Sequence, residues 1–496
     1  MAVKVDTQKE IIFGSSDPNI SRVLSKKEKD GELRKVAPRI YTTNLVDSLE
    51  NIVRRNLIEI LVYRYPDALI SHRSAKEMRP TATGDFFLTN STTRRVTDLP
   101  GITLNFVKGP KATAHDIPFM GMHISGEYRY MLENMQVSRK SGDESRVLPT
   151  SIIESKLEQL LLTGGEERLN QYRDELRKVA EELEMQTEFA KINSIISALL
   201  STHDAKVLST DSAKALAAGN PFDPARVELF EILFEAIKDR YFIIRNNRNT
   251  DEESFRLFSF FESYFSNYIE GTEFEIDEAK AIVDSGIPIP RRDEDSHDIL
   301  GTFKVLSNRA EMMRTPTSPK ELFAILSHRH TILLEGRPHM NPGVFKMKNN
   351  RAGQTEFVNH QLVKGTLSQG FKYYAALTDP FARAIFMMFM ISEVHPFNDG
   401  NGRIARVMMN AELVRADQSR IIVPTVFRED YILALRKLTR HKDPLAYINV
   451  MTKLHQFSDN LYGTDFTELK DYLAACNAYE EPSQAKLQII DRTIKF

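Results

Sequence analysis

At 496 residues the chain exceeds what one hydrophobic core ordinarily organises, so about two to four domains are expected. Apolar residues make up 42% and charged residues 27%, a balance that supports a packed core and excludes a disordered or fibrous chain. The 66 basic and 68 acidic side chains leave a formal charge of −2, so the whole molecule is no polyanion binder and any nucleic-acid contact must be local.

Cys476 is the single cysteine, which excludes an internal disulfide and a Cys-rich zinc module and fits a reducing compartment. The N-terminal stretch MAVKVDTQKEIIFG lacks the apolar centre and cleavage site of a secretory signal. The most apolar run, Phe381 to Val394, is too short to cross a bilayer and carries Arg383 and Glu393. A cytoplasmic protein without membrane contact is the expectation.

In chain order, residues 15–145 mix helix and strand signals, with β-rich pieces at Phe86 to Thr89 and Ile102 to Val107, and predict a small α/β domain. Its start places Arg22, Lys26, Lys27, Lys29, Arg34 and Lys35 on and after a short helix, with a turn at Gly31 and a strand ending at Ile40 to Thr42. A basic helix followed by a strand can be half of a winged helix on DNA phosphates, or a solvated face, since Glu28, Asp30 and Glu32 interrupt it.

Residues 146–245 predict a helical connector. Ser151 to Glu154 has the spacing of a capping box, Gly164-Gly165 breaks the helix, and Leu169, Tyr172, Leu176, Val179 and Leu183 form an apolar stripe beyond it. The charged, aperiodic run Arg291 to Asp298 reads as an exposed loop. Residues 461–496 read as a short, partly helical tail. His328, His330, His339 and His360 do not make a metal set by spacing; His328 and His330, two apart on a helix, point away from each other.

The chemistry concentrates in residues 246–460. Asp379 and Pro380 open a helix that is apolar almost all round and delivers His395 at its end. The loop Pro396-Phe397-Asn398-Asp399-Gly400-Asn401-Gly402 then opens a second helix, from Ile404 to about Ala416. A glycine-bearing loop at a helix N-terminus offers unpaired N–H groups and the positive end of the helix dipole to phosphate. Arg403 and Arg406 share a helical face and can reach one polyphosphate. Asp399 supplies a hard oxygen for magnesium, and His395 can take a proton from an attacking hydroxyl. Nucleotidyl or phosphoryl transfer onto a hydroxyl is the chemistry these parts suit.

HPFNDGNGRIAR, residues 395–406, resembles the signature of the Fic family at every position. The resemblance implies a mainly α Fic-fold domain that moves AMP from Mg-ATP to a protein hydroxyl. It implies His395 as general base, Asp399 as magnesium ligand, Asn398 beside the phosphates, Gly400, Asn401 and Gly402 as anion hole, and Arg403 and Arg406 on phosphates. Related Doc-type kinases carry lysine where this chain has Gly402, which favours AMP transfer. Phe397 is expected to be core packing that fixes the loop. Thr355, Glu356, Phe357 and Val358, after Gln354, fall where the family carries a flap that clamps the target, and Tyr431 where a tyrosine lies by adenine.

Many family members also carry a Ser or Thr, three residues, then Glu-Gly, on a helix that restrains the second arginine. Ser266 to Gly271 and Thr331 to Gly336 both fit. Glu270 is the expected brake within a helix of about 255–271: Phe258, Phe261, Phe265, Tyr268 and Ile269 make its apolar face and Gly271 its cap. A glutamate in that last turn opposes the helix dipole by up to ~1 kcal/mol, which a partner such as Arg406 offsets.

Gly31 to Thr42 and Tyr65 to Ala75 resemble the N-terminal region of AbiEi-type antitoxins, which begins with a winged helix. The expected partners are therefore ATP, a target protein with a Ser, Thr or Tyr hydroxyl, local DNA or protein contact through the first domain, and a second copy in a homodimer. Three functions stay open: a self-inhibited adenylyltransferase that can also remove AMP, a Fic-fold transferase with another donor, and a DNA-binding regulator with little catalysis.

Overall fold

A computed structural model describes residues 8–92, 95–353 and 355–492. The chain divides into two compact units, one reaching to Ala218 and one from Gly219 onward. The stretch 146–245, expected as one connector, is shared between them.

The first unit opens with β1 (Ile11–Phe13), α1 (Pro18–Lys29), β2 (Arg34–Ala37) and β3 (Ile40–Thr42). Asp17 caps α1 through the Asn19 N–H, and the three strands pair in the order β1-β3-β2. Of the winged helix expected here, residues 8–42 carry this one helix and its sheet. Next come α2 (Leu49–Arg55), α3 (Leu57–Arg64), β4 (Leu69–Ile70), α4 (His72–Glu77), β5 (Asp85–Asn90), β6 (Arg95–Leu99), β7 (Ile102–Lys108), β8 (Ile117–Phe119), β9 (Met122–Ile124) and α5 (Glu127–Glu133). The six later strands form a mixed sheet in the order β6-β7-β5-β4-β9-β8. In β7 Ile102, Leu104 and Phe106 alternate into the core with Ile52, Val53, Ile60 and Leu61, whereas the central β5 is buried on both faces.

Three helices, α6 (Thr150–Glu182), α7 (Gln186–Leu199) and α8 (Asp211–Ala217), complete the unit. The break expected at Gly164-Gly165 is present: Gly165 sits at φ 67°, which a side chain would strain. The capping box is not. α6 starts at Thr150 after Pro149, and the Glu154 carboxylate, fully buried, accepts instead from the Ser209 and Thr210 N–H groups at 2.7 and 2.9 Å. A buried carboxylate binds the nearest orphan donors, and the start of α8 supplies them.

The second unit is helical: α9 (Pro224–Ile237), α10 (Glu252–Ile269), α11 (Ile276–Ser285), α12 (Asp293–Leu306), α13 (Arg309–Met312) and α14 (Pro319–Leu333) come first. A small hairpin of β10 (Arg351–Ala352) and β11 (Thr355–Glu356) follows. Then come α15 (Val363–Ala376), α16 (Pro380–Val394), α17 (Asn401–Arg415), α18 (Arg428–His441), α19 (Pro444–Ser458) and α20 (Phe466–Ala475). The run 291–298 is therefore no loop: α12 begins at Asp293. Its first turn, Asp293, Glu294 and Asp295, complements the helix dipole, and a charge run without apolar period hid that start.

α16 and α17 form the centre. Asp379 caps α16 through the Ala382 N–H, and Phe381 and Ile385 to Ile391 are buried. α17 is buried too, although it carries Arg403, Arg406, Asn410 and Glu412. Charges at such depth require partners, and neighbouring helices provide them. Glu262 of α10 accepts from Asn410 at 2.6 Å and from Arg420 at 3.0 Å. Tyr374 donates to Glu412 at 2.6 Å. The last helix, α20, sets Phe466 against Phe260 and Phe261 of α10. No helix among the described residues is long and apolar enough to cross a membrane.

Candidate active site

His395 ends α16 in the left-handed region, at φ 51°, which turns the chain into the loop. Its Nδ1 lies 3.2 Å from the Ser392 carbonyl. A carbonyl only accepts, so Nδ1 carries the proton and Nε2 keeps a lone pair. The ring lies flat on Phe357, centroids 3.6 Å apart and planes 5° apart. Burial lowers the imidazole pKa to about 4, so it is neutral near pH 7.

The loop is held from inside. The Asn401 side chain accepts from the Phe397 N–H and donates to the Phe397 carbonyl, both at 2.9 Å. Asn401 therefore staples the loop, and its backbone N–H is what remains for an anion. Phe397 is fully buried, as expected, and stacks on His330 at 3.7 Å. His330 donates from Nε2 to the Asp399 carbonyl at 2.9 Å and accepts at Nδ1 from the Gly343 N–H at 2.8 Å. Burial lowers its pKa to about 4 and keeps that single tautomer.

Gly400, at φ 71°, leads into α17, whose first turn has no side-chain cap. The amides there face the loop as an open anion site. Arg403 approaches from within the helix, tied to buried Asp298 at 2.8 Å and lying 3.5 Å from Asp399. Its buried Nε has no hydrogen-bond partner. One Asp399 oxygen accepts from the Gly400 N–H at 2.7 Å, and the side chain stays 36% exposed. That half-open hard oxygen beside the anion site suits magnesium. Asn398 is exposed at the rim and donates to the Met340 carbonyl at 3.3 Å.

Arg406 is occupied. Its Nε donates to the Ser266 hydroxyl at 2.9 Å, and its Nη2 to the Ser266 carbonyl at 2.8 Å and to Glu270 at 2.7 Å. Burial pushes the Glu270 carboxyl up, but the charge and hydrogen bond of Arg406 bring it below the usual range. A Cβ at Gly402 would lie 2.1 Å from the same carboxylate, so only glycine leaves Glu270 its place. Gly271, at φ 93°, turns the chain away after it. The rival glutamate, Glu335, is 68% exposed and pairs with Lys304 on the surface. Tyr431 is buried beside Arg406.

The segment 355–358 borders His395. Thr355 and Glu356 form β11, Phe357 covers the imidazole, and Val358 anchors in the core. Gln354 lies outside the described residues. Sequence reasoning missed Asp298, His330 and Lys346. Lys346, buried, donates to Asn350 at 2.6 Å and to the Val394 carbonyl at 3.3 Å, and burial lowers its pKa to about 8. A lysine after Asn-Pro-Gly-Val-Phe was the only signal for it.

A neutral imidazole, an uncapped helix start and two arginines are chemically suited to transfer from a nucleotide polyphosphate. Residues 320–413 match the Fic/DOC family, so the chain carries a Fic domain. It is 26% identical over 178 residues to protein adenylyltransferase fic-1 of Caenorhabditis elegans, covering 35% of each chain. A Fido domain-containing protein of Dictyostelium discoideum is 29% identical over 107 residues, 21% of this chain and 75% of that one. The chain spans about a third (35%) of the length of the fic-1 relatives it matches. Solved Fic-1 of C. elegans aligns at 16% identity and a TM-score of 0.36 over 66% of this chain and 93% of that one.

Proposed function

We propose that this protein is an adenylyltransferase that moves AMP from ATP to a protein hydroxyl and holds itself back through Glu270. The observation that carries the reading is the neutral His395 imidazole beside an uncapped helix start whose Arg406 is already held by Glu270. The target oxygen forms a bond to the α-phosphorus while the bond from that phosphorus to the α,β-bridging oxygen breaks. Pyrophosphate leaves, and His395 Nε2 takes the hydroxyl proton. The α17 amides and Arg403 bind phosphate charge before and during the step. Asp399 is the residue that would hold magnesium, which offsets polyphosphate charge.

With Glu270 on Arg406, the guanidinium is withdrawn from the γ-phosphate, and the chain of phosphates sits out of line for attack. A displacement of about 1 Å costs on the order of 100-fold in rate. The test is transfer of α-labelled ATP to the protein and to lysate. Glu270→Gly labels strongly under this reading; equal labelling by wild type and Glu270→Gly would overturn the brake.

A second reading concerns the first unit. α1 exposes Arg22, Lys26 and Lys29 ahead of the β2–β3 hairpin, which supports local DNA contact. Binding of the full chain to duplex DNA that weakens steeply with salt tests it, and salt-insensitive or absent binding contradicts it.

A further inference from the structure

The flap strands β10 and β11 are two residues each, too short to hold a position by themselves. Something outside the hairpin must fix Phe357 over His395. Arg226, in the first turn of α9 and outside the family-matched stretch, reaches both sides of the problem. Its Nη2 donates to the Glu356 carbonyl at 2.6 Å, and its Nη1 to the Glu393 carboxylate at 2.7 Å. Glu393 is nearly buried in the last turn of α16, two residues before His395, and also accepts from Thr439. Arg440 adds a single weaker bond, to the Thr355 hydroxyl at 3.2 Å.

We propose that Arg226 is a positioning residue: its guanidinium ties the flap to the end of α16 and so keeps Phe357 stacked on the His395 imidazole. The inference rests on the transfer reading above for its purpose, but on geometry alone for its existence. Among the described residues, the one hydrogen bond on the ring is the 3.2 Å bond at Nδ1, about which the imidazole can still swing. A flat ring at 3.6 Å removes that swing and aims Nε2 at the position of the target hydroxyl. A planar two-ended donor is needed, because a lysine ammonium on Glu393 cannot also reach the Glu356 carbonyl in the same geometry.

The test uses full-length Glu270→Gly protein, alone and with Arg226→Lys or Phe357→Leu added, with melting temperatures measured alongside. Carbon-13 histidine labelling reads the His395 ring protons, assigned by their loss in His395→Asn. A ring stacked on phenylalanine is shifted upfield by its ring current. Both added substitutions are expected to move those signals downfield. They are also expected to slow self-labelling at saturating ATP by about 10-fold or more, with the half-saturating ATP concentration within about two-fold. Phe357 lies on the flap, so Phe357→Leu keeps the test informative if Arg226→Lys lowers stability. Unmoved His395 signals in Arg226→Lys would overturn the proposal, as would a change confined to the half-saturating ATP concentration. Failure of Glu270→Gly to label at all would instead strike the transfer reading, and the ring shifts would still decide the role of Arg226.

Discussion

His395 is gripped at one nitrogen and one face, which leaves Nε2 as its free functional atom. Its pKa of about 4 fixes the sign of a pH dependence. The base works when neutral, so transfer by Glu270→Gly is expected to persist as pH falls below 6.5 and to fail only near pH 4. A half-maximal rate near pH 6.5 would show an imidazole in contact with water. The same depression means that the folded state resists protonating His395. The ring's share of stability is present above the unfolded value near 6.5 and is lost as pH falls towards 4. The signature residues 395–406 were legible because their chemistry follows from residue type. The roles of Asn401 and His330 were not: a stapled loop depends on which backbone groups the fold brings near, and His330 reaches the site from α14.

At the scale of elements, the sequence showed α10 and α16 clearly, because their apolar faces and caps are strong local signals, and α17 through the glycine-bearing loop that opens it. It concealed α12, whose acidic first turn resembles a loop until Asp298 is seen facing Arg403 and Arg337. Asp298→Ala leaves buried Arg403 without its strongest partner. Unfolding by denaturant is expected to show a loss of about 3–5 kcal/mol, and a loss below about 1 kcal/mol would contradict the buried pair. Glu154→Ala tests the other correction. The part-buried N–H groups of Ser209 and Thr210 lose their charged acceptor, at a cost of about 1–3 kcal/mol in total. Unchanged stability would restore the capping box.

The two units each carry their own core, and every side chain placed in the site, from Arg226 to Tyr431, belongs to the second. Residues 219–496 expressed alone are therefore expected to unfold in one cooperative transition and, with Glu270→Gly, to label themselves as the full chain does. A fragment that folds but does not label would place part of the activity in the first unit. Where the chain divides was hard to read, because α6 to α9 share one helical pattern and only the packing of α9 on α15 and α16 assigns it to the second unit.

The most direct measurement of the central claim is incorporation of α-labelled ATP, with magnesium, into wild type, Glu270→Gly and His395→Ala with Glu270→Gly. The account predicts weak labelling of wild type, strong labelling of Glu270→Gly, and none when His395 is also replaced. Label that persists without His395, or that Glu270→Gly fails to raise while ATP still binds, would contradict it.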